Sequence, residues 1–293
     1  MITSATTHTA LGASSALGDR VDVAGGRAAV EVIGHGSPVV LTHGTPSWSY
    51  LWRNIATRLG EDHTVYLWDL LGYGDSTVAA GTRPSVALHA ATLAELVEHW
   101  GLTGPRSAAL VGHDIGGGAV LRAHLLHQVP ARALMLLDAA LLTPWVTPVA
   151  AHMQAHLEAY RTMPTSVFSE VIAAHVATTT ARPMPVEVTR AYLDRYAGNA
   201  GQQRWLDQVA GFSDDDTRDV VAGLDQITAP THVIWGERDQ WLPLDTAERL
   251  RDAIPGAELT TIPDAGHFLT EDAPEATTTA LHNALTAARH AES

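Results

Sequence analysis

Leu110-Val111-Gly112-His113-Asp114-Ile115-Gly116-Gly117-Gly118 is the stretch on which the fold turns. An apolar run enters Gly-x-Asp-x-Gly, and a helical pattern from Gly116 to Gln128 follows at once. This is the form of a nucleophile elbow, a strand-to-helix turn so sharp that its central residue protrudes with strained dihedrals. Strand and helix approach each other there, so the residues two before and two after the centre must be small; Gly112 and Gly116 meet that need. A phosphate-binding loop is the competing reading. No Gly-x-Gly-x-x-Gly precedes the helix and no Walker lysine follows, so Asp114 at the centre is read as a reactive carboxylate.

Outward from the elbow, short apolar runs alternate with helical patterns. Val21–Val23 and Arg27–Ile33 around Gly25-Gly26 form a hairpin pattern, followed by strand patterns at residues 39–42, 65–68, 108–111 and 133–137. Two more lie at 232–235 and 259–262, with helical patterns at 86–100, 116–128, 244–253 and 274–288. Strands that are almost wholly apolar between helices mean a mostly parallel sheet covered on both faces, here of eight strands. The alternation stops between about Thr143 and Asp225, where helical patterns are separated by proline-rich turns. The expected organisation is a core of residues 19–142 and 226–293, a helical cap of 143–225 inserted after the sixth strand, and a disordered tail of 1–18.

Composition narrows the function. The 293 residues are 46% hydrophobic and 17% charged, with a formal net charge of −14. A surface so acidic disfavours nucleic acid and anionic membrane surfaces as partners and points to a small neutral substrate. The absence of cysteine excludes disulfides, a thiol nucleophile and thiolate metal sites. With no apolar run long enough to span a bilayer and no leader pattern in the opening residues, a cytoplasmic enzyme is expected. His152 and His156 have helical i, i+4 spacing but no recognisable third ligand, so no metal or other cofactor is expected. Asp214-Asp215-Asp216 reads as a solvated acidic loop.

Three further motifs stand at strand ends. His43-Gly44-Thr45-Pro46 follows the third strand, Trp235-Gly236-Glu237-Arg238-Asp239 ends the seventh, and Asp264-Ala265-Gly266-His267-Phe268 follows the eighth. The stretch His43 to Arg53 (HGTPSWSYLWR) resembles haloalkane dehalogenases, and Gly-His-Asp-x-Gly-Gly with Gly266-His267-Phe268-Leu269 resembles soluble epoxide hydrolases and fluoroacetate dehalogenases. The resemblance runs from about Val21 to the last helix, weakest through the cap, and implies an α/β-hydrolase fold of the aspartate-nucleophile branch. It also implies Asp114 as nucleophile, His267 as base and Asp239 as the acid that orients it. Asp138, after the sixth strand, is the alternative acid. The backbone N–H groups of Thr45 and Ile115 are then the oxyanion hole.

An aspartate at the elbow changes the reaction. A carboxylate attacking an ester would form an anhydride, whereas at a saturated, strained or halogen-bearing carbon it forms an alkyl ester that water can cleave. Haloalkane dehalogenases carry a tryptophan after the nucleophile, and this chain has Ile115; fluoroacetate dehalogenases carry arginines nearby, and this chain has none there. An epoxide hydrolase needs donors from the cap for the ring oxygen. Tyr160, Tyr192 and Tyr196 are the candidates, with Trp205 as a weaker one. The expectation is therefore epoxide hydrolysis, with haloalkane or haloacid dehalogenation, or a non-catalytic binder on this scaffold, as alternatives.

Overall fold

A strand with no polar face must be covered twice, and that requirement organises the molecule. The structure, a computed structural model, describes residues 17–291. Its strands are β1 (Asp19–Val23), β2 (Gly26–Gly34), β3 (Ser37–Thr42), β4 (His63–Trp68), β5 (Thr77–Val78), β6 (Ala108–His113), β7 (Ala131–Leu137), β8 (Thr231–Gly236) and β9 (Glu258–Ile262). They form one sheet in the order β1-β2-β4-β3-β6-β7-β8-β9, with β5 paired to β2. From β4 to β9 every pairing is parallel, and β1, β2 and β5 add an antiparallel edge. This is the expected α/β-hydrolase architecture with one correction: the sheet has nine strands, not eight. The added β5 is a two-residue pairing of Thr77 and Val78 with Arg27 and Gly26, too short to leave a periodic signal.

Alternate residues of the parallel strands feed two cores. Val40, Leu110, Leu134 and Val233 pack with α2 (Val86–His99), α3 (Ile115–Leu126) and α10 (Leu244–Ala253) through Leu93, Val120 and Leu250. Val39, Val111, Met135 and Ile234 pack on the other face with α1 (Arg53–Leu59) and α12 (Pro274–Ala291) through Ile55 and Leu281. Between β7 and β8 lie only helices among the described residues: α4 (Pro148–Ala155), α5 (Leu157–Arg161), α6 (Thr165–Ala177), α7 (Val186–Asp194), α8 (Gly198–Ala210) and α9 (Asp215–Val221). Counting β5, this helical excursion follows the seventh strand. Phe168, Ile172, Tyr192 and Trp205 continue the second core into it.

Asp214-Asp215-Asp216 is not a loop: it opens α9, and Asp214 Oδ1 accepts the backbone N–H of Trp145 at 2.9 Å. The acidic residues sit where the exposed N–H groups of a helix start favour negative charge. Of the expected tail, residues 1–16 lie outside the described residues, while Leu17 is buried. Two links, one buried and one half-buried, tie the excursion to the rest of the fold. Arg53 donates to both oxygens of Glu271 at 2.5 and 2.7 Å, and the Tyr192 hydroxyl donates to the same carboxylate at 2.6 Å. Arg195 pairs with Asp75 at 2.7 Å and lies over the Trp48 ring. α11 (Leu269–Asp272) completes the frame: Asp272 accepts the N–H groups of Ala181 and Gly266, fastening the end of α6 to the loop that carries His267.

Candidate active site

Asp114 stands between β6 and α3 with φ 52° and ψ −127°, a conformation costly for any residue with a side chain. The glycines permit it. A Cβ on Gly112 would meet the Gly116 carbonyl oxygen at 2.5 Å, and one on Gly116 would meet the His43 carbonyl oxygen at 2.3 Å. The turn is pinned by Ala140 N–H and Gly117 N–H, which both donate to the Asp114 carbonyl. The carboxylate therefore protrudes where the sheet's carboxyl edge meets the helical excursion.

Its two oxygens have different surroundings. Oδ2 accepts the Thr45 N–H at 2.7 Å, and the Ile115 N–H is directed at the same carboxylate. Oδ1 lies 3.6 Å from His267 Nε2, an ion-pair separation rather than a hydrogen bond. On the other side of the ring, His267 Nδ1 is 2.8 Å from Asp239 Oδ2. Asp239 Oδ1 is held by the backbone N–H groups of Trp241 and Leu242 at 2.7 and 3.0 Å. All three side chains are buried.

Burial sets the charges. It opposes charge on His267, but Asp239 and Asp114 on either side outweigh it and hold the imidazole well above its ordinary value. Burial likewise pushes Asp114 up, and the neighbouring His267 ring overrides it to bring the carboxyl below the usual range. The three side chains thus form an Asp114–His267–Asp239 row in which both aspartates favour the protonated ring. Asp138, the alternative acid, does not touch His267. Its Oδ1 accepts the Gly236 N–H at 2.9 Å, and burial, then the charge of Asp239 beside it, raises its carboxyl well above the ordinary value. Asp138 stands behind Asp239, its carboxyl biased toward the protonated form.

A pocket opens in front of Asp114. Besides Thr45, Asp114 and Ile115 it is lined by Trp145, Val146, Thr147, Val149, Ala150, Met153, His175, Trp205, Phe212 and Trp241. None of the three tyrosines lines it. Tyr192 is spent on Glu271, the Tyr196 hydroxyl lies 3.3 Å from Gln208 Oε1, and Tyr160 packs its ring against His152. Trp205 does line the pocket, but its indole N–H points at Met153 Sδ, 3.4 Å away. The other two indoles are committed as well, Trp145 to Thr217 Oγ1 and Trp241 to Thr178 Oγ1. His152 and His156 have rings 4.6 Å apart, and no third metal-ligating side chain joins them among the described residues.

The residue that the sequence reading missed is His175, on α6. Its ring nitrogens make no hydrogen bond among the described residues; the ring stacks on Trp241 at 4.4 Å and meets Trp205 edge-on at 5.3 Å. Burial, then the positive charge of His267, push its imidazole down to about 4 against the pull of Asp114. It is neutral at physiological pH and keeps one N–H to donate. The signal was available: Phe168, Ile172 and Val176 mark the buried stripe of α6, and residue 175 falls beside it at helical spacing.

The sheet, the elbow and the Asp-His-Asp row define an α/β-hydrolase. Residues 37–274 match the family described as alpha/beta hydrolase fold, and the chain belongs to that family. It is similar to an α/β-hydrolase fold protein from Burkholderia ambifaria, with 32% identity, a TM-score of 0.86, and coverage of 90% of this chain and 97% of that one. Two curated relatives are a cis-3-alkyl-4-alkyloxetan-2-one decarboxylase from Xanthomonas campestris, 26% identical over 82% of this chain and 85% of its own, and haloalkane dehalogenase 2 from Mycobacterium bovis, 28% identical over 83% and 85%. No helix among the described residues is long and apolar enough to cross a membrane.

Proposed function

We propose that the protein hydrolyses small, neutral, apolar epoxides through an alkyl ester on Asp114. The observation that carries the reading is His175: a neutral imidazole, free to donate, in a pocket whose three indole N–H groups are all turned to other partners. A departing halide needs weak donors around it, and the indoles that would supply them are occupied. A developing alkoxide needs a strong hydrogen bond, and a neutral histidine suits that role.

Asp114 Oδ1 attacks one ring carbon in line with the breaking C–O bond, while the carbonyl character moves to Oδ2 under the Thr45 and Ile115 N–H groups. His175 holds the ring oxygen as charge develops on it. Alkylation removes the negative charge of Asp114, so His267 loses one of the two carboxylates that keep it protonated. Its proton passes to the alkoxide, which leaves a hydroxy-ester and a neutral base. His267 then takes a proton from water, which attacks the ester carbonyl carbon of Asp114, and Asp239 stabilises the imidazolium as it re-forms. The tetrahedral intermediate collapses, the Asp114 carboxyl that forms gives its proton to the departing alkoxide, and diol leaves with the carboxylate–imidazolium row restored. The helical excursion, residues 143–225, acts as the cap, and no cofactor enters. The oxetanone of the Xanthomonas relative is likewise a strained ring with a C–O bond to break, which supports this class of electrophile over halides.

Haloalkane dehalogenation is the second reading, favoured by the Mycobacterium relative and by the HGTPSWSYLWR stretch. Intact-mass measurement of a His267→Gln variant separates the two, since this change stalls ester hydrolysis by on the order of 10²–10⁴. Styrene oxide should add its full mass to the protein. A bromoalkane should add its mass less hydrogen bromide if the second reading holds. If neither compound labels Asp114, the covalent mechanism is wrong and the pocket belongs to a binding protein.

A further inference from the structure

Trp241 has no place in the mechanism above, yet it touches both imidazoles that do. Its indole stacks on His267 with ring centroids 4.8 Å apart and planes at 25°, and on His175 at 4.4 Å and 24°. Its backbone N–H holds Asp239, and its indole N–H is fixed on Thr178 Oγ1 at 2.9 Å, so the ring has little freedom to turn. We propose that Trp241 is a positioning residue that carries the cation of the site on one imidazole only, stabilising His267 as imidazolium while seating His175 as the neutral donor. The inference rests on the epoxide hydrolase reading for the role of His175, but not for the stacking on His267.

The reasoning is electrostatic. The face of an indole is the most negative of the aromatic faces and attracts a cation lying on it. Two imidazolium rings against one indole would repel each other in a site with little water, so one of the pair must stay neutral. His267 faces Asp239 and Asp114, with Asp138 behind Asp239 and His113 at 4.9 Å; His175 feels Asp114 but pairs with no carboxylate. The charge therefore settles on His267. The indole matters most in the second half of the reaction, when Asp114 is an uncharged ester. Asp239 and the indole face are then what remains to favour the imidazolium that forms as water attacks.

The test compares Trp241→Phe, which keeps a weaker aromatic face, with Trp241→Leu, which keeps apolar bulk and loses the face. Histidine NMR titration, with the His267 signal assigned by its loss in His267→Gln, reads the ring without any substrate. Trp241→Leu is expected to lower the pH at which His267 loses its proton by about 0.5–1 unit, with Trp241→Phe between it and the parent. Single-turnover hydrolysis of the Asp114 ester should slow in the same order, by up to about tenfold for leucine. Equal titration of His267 in all three proteins would overturn the proposal. So would a phenylalanine variant as impaired as the leucine one, because the indole would then be filling space. An unchanged hierarchy of titrations in a protein that opens no epoxide would leave the stack intact and remove the function instead.

Discussion

Replacing His175 with phenylalanine removes one N–H and almost nothing else. The ring nitrogens have no partner within the described protein, and a phenyl ring retains the stack on Trp241 and the edge contact with Trp205. On the proposed mechanism, what is lost is a hydrogen bond to oxygen that becomes negatively charged as the epoxide opens. Bonds to charged groups contribute about 1.5–3 kcal/mol, which converts to a slowing of Asp114 alkylation by roughly 10- to 150-fold. Rapid-quench formation of the ester is the right assay, because steady-state turnover also includes its hydrolysis. Bromide release from a bromoalkane should change far less, since a halide gains little from a strong donor. In the parent protein, alkylation should show no titration near 6.5, because His175 stays neutral down to about 4. The sign carries over to stability. The folded value lies below the unfolded one, so the contribution of neutral His175 is complete above about 6.5 and is lost as pH falls toward 4. The phenylalanine variant should therefore lose less stability than the parent across that window. Ester formation within twofold of the parent rate would refute the role given to His175.

Three other outcomes follow from the geometry. In a single turnover in isotopically labelled water, label should enter the peptide containing Asp114, as read by mass spectrometry; label confined to the product would mean direct attack by water. Tyr160→Phe, Tyr192→Phe and Tyr196→Phe should each alkylate Asp114 within about twofold of the parent, while Tyr192→Phe should unfold more easily, by about 1.5–3 kcal/mol in urea titration, having lost its bond to the buried Glu271. Asp138→Asn keeps an oxygen for the Gly236 N–H and replaces a carboxyl whose folded value is raised, so the parent loses stability relative to the variant as pH climbs from about 4. The difference should grow by up to about 1.4 kcal/mol per pH unit until the folded carboxyl ionises, and a constant difference across pH would show that Asp138 is charged.

The fold was legible because its determinants are local. An all-apolar strand, a glycine two residues either side of Asp114, and a histidine just past the last strand are each visible within ten residues, and strand ends in a parallel sheet converge on one edge whatever the loops do. β5 escaped because two residues carry no period, and the start of α9 escaped because three aspartates read equally as loop or as helix N-terminus. The cap was a different problem. Whether a tyrosine faces the pocket depends on partners far away in sequence: Tyr192 is claimed by Glu271, 79 residues on, and Glu271 in turn by Arg53, 218 residues back. Helical spacing places a residue on a face but says nothing about which acceptor that face will meet.

The same physics explains why a histidine is left for the substrate. A phenol buried in a low-dielectric interior must find an acceptor or leave a polar group unsatisfied, and the two buried tyrosines of the helical excursion have each found one. Tyr192 finds a carboxylate, and Tyr196 an amide oxygen. The three indoles that line the pocket find hydroxyls or a thioether. A side chain retained for a ligand is one that the protein stabilises by contacts other than hydrogen bonds. His175 fits that description, since two flat tryptophan rings hold it and its nitrogens remain unspent. The candidate donor is thus recognised by what it does not bond to, a property no single helix in the sequence reveals.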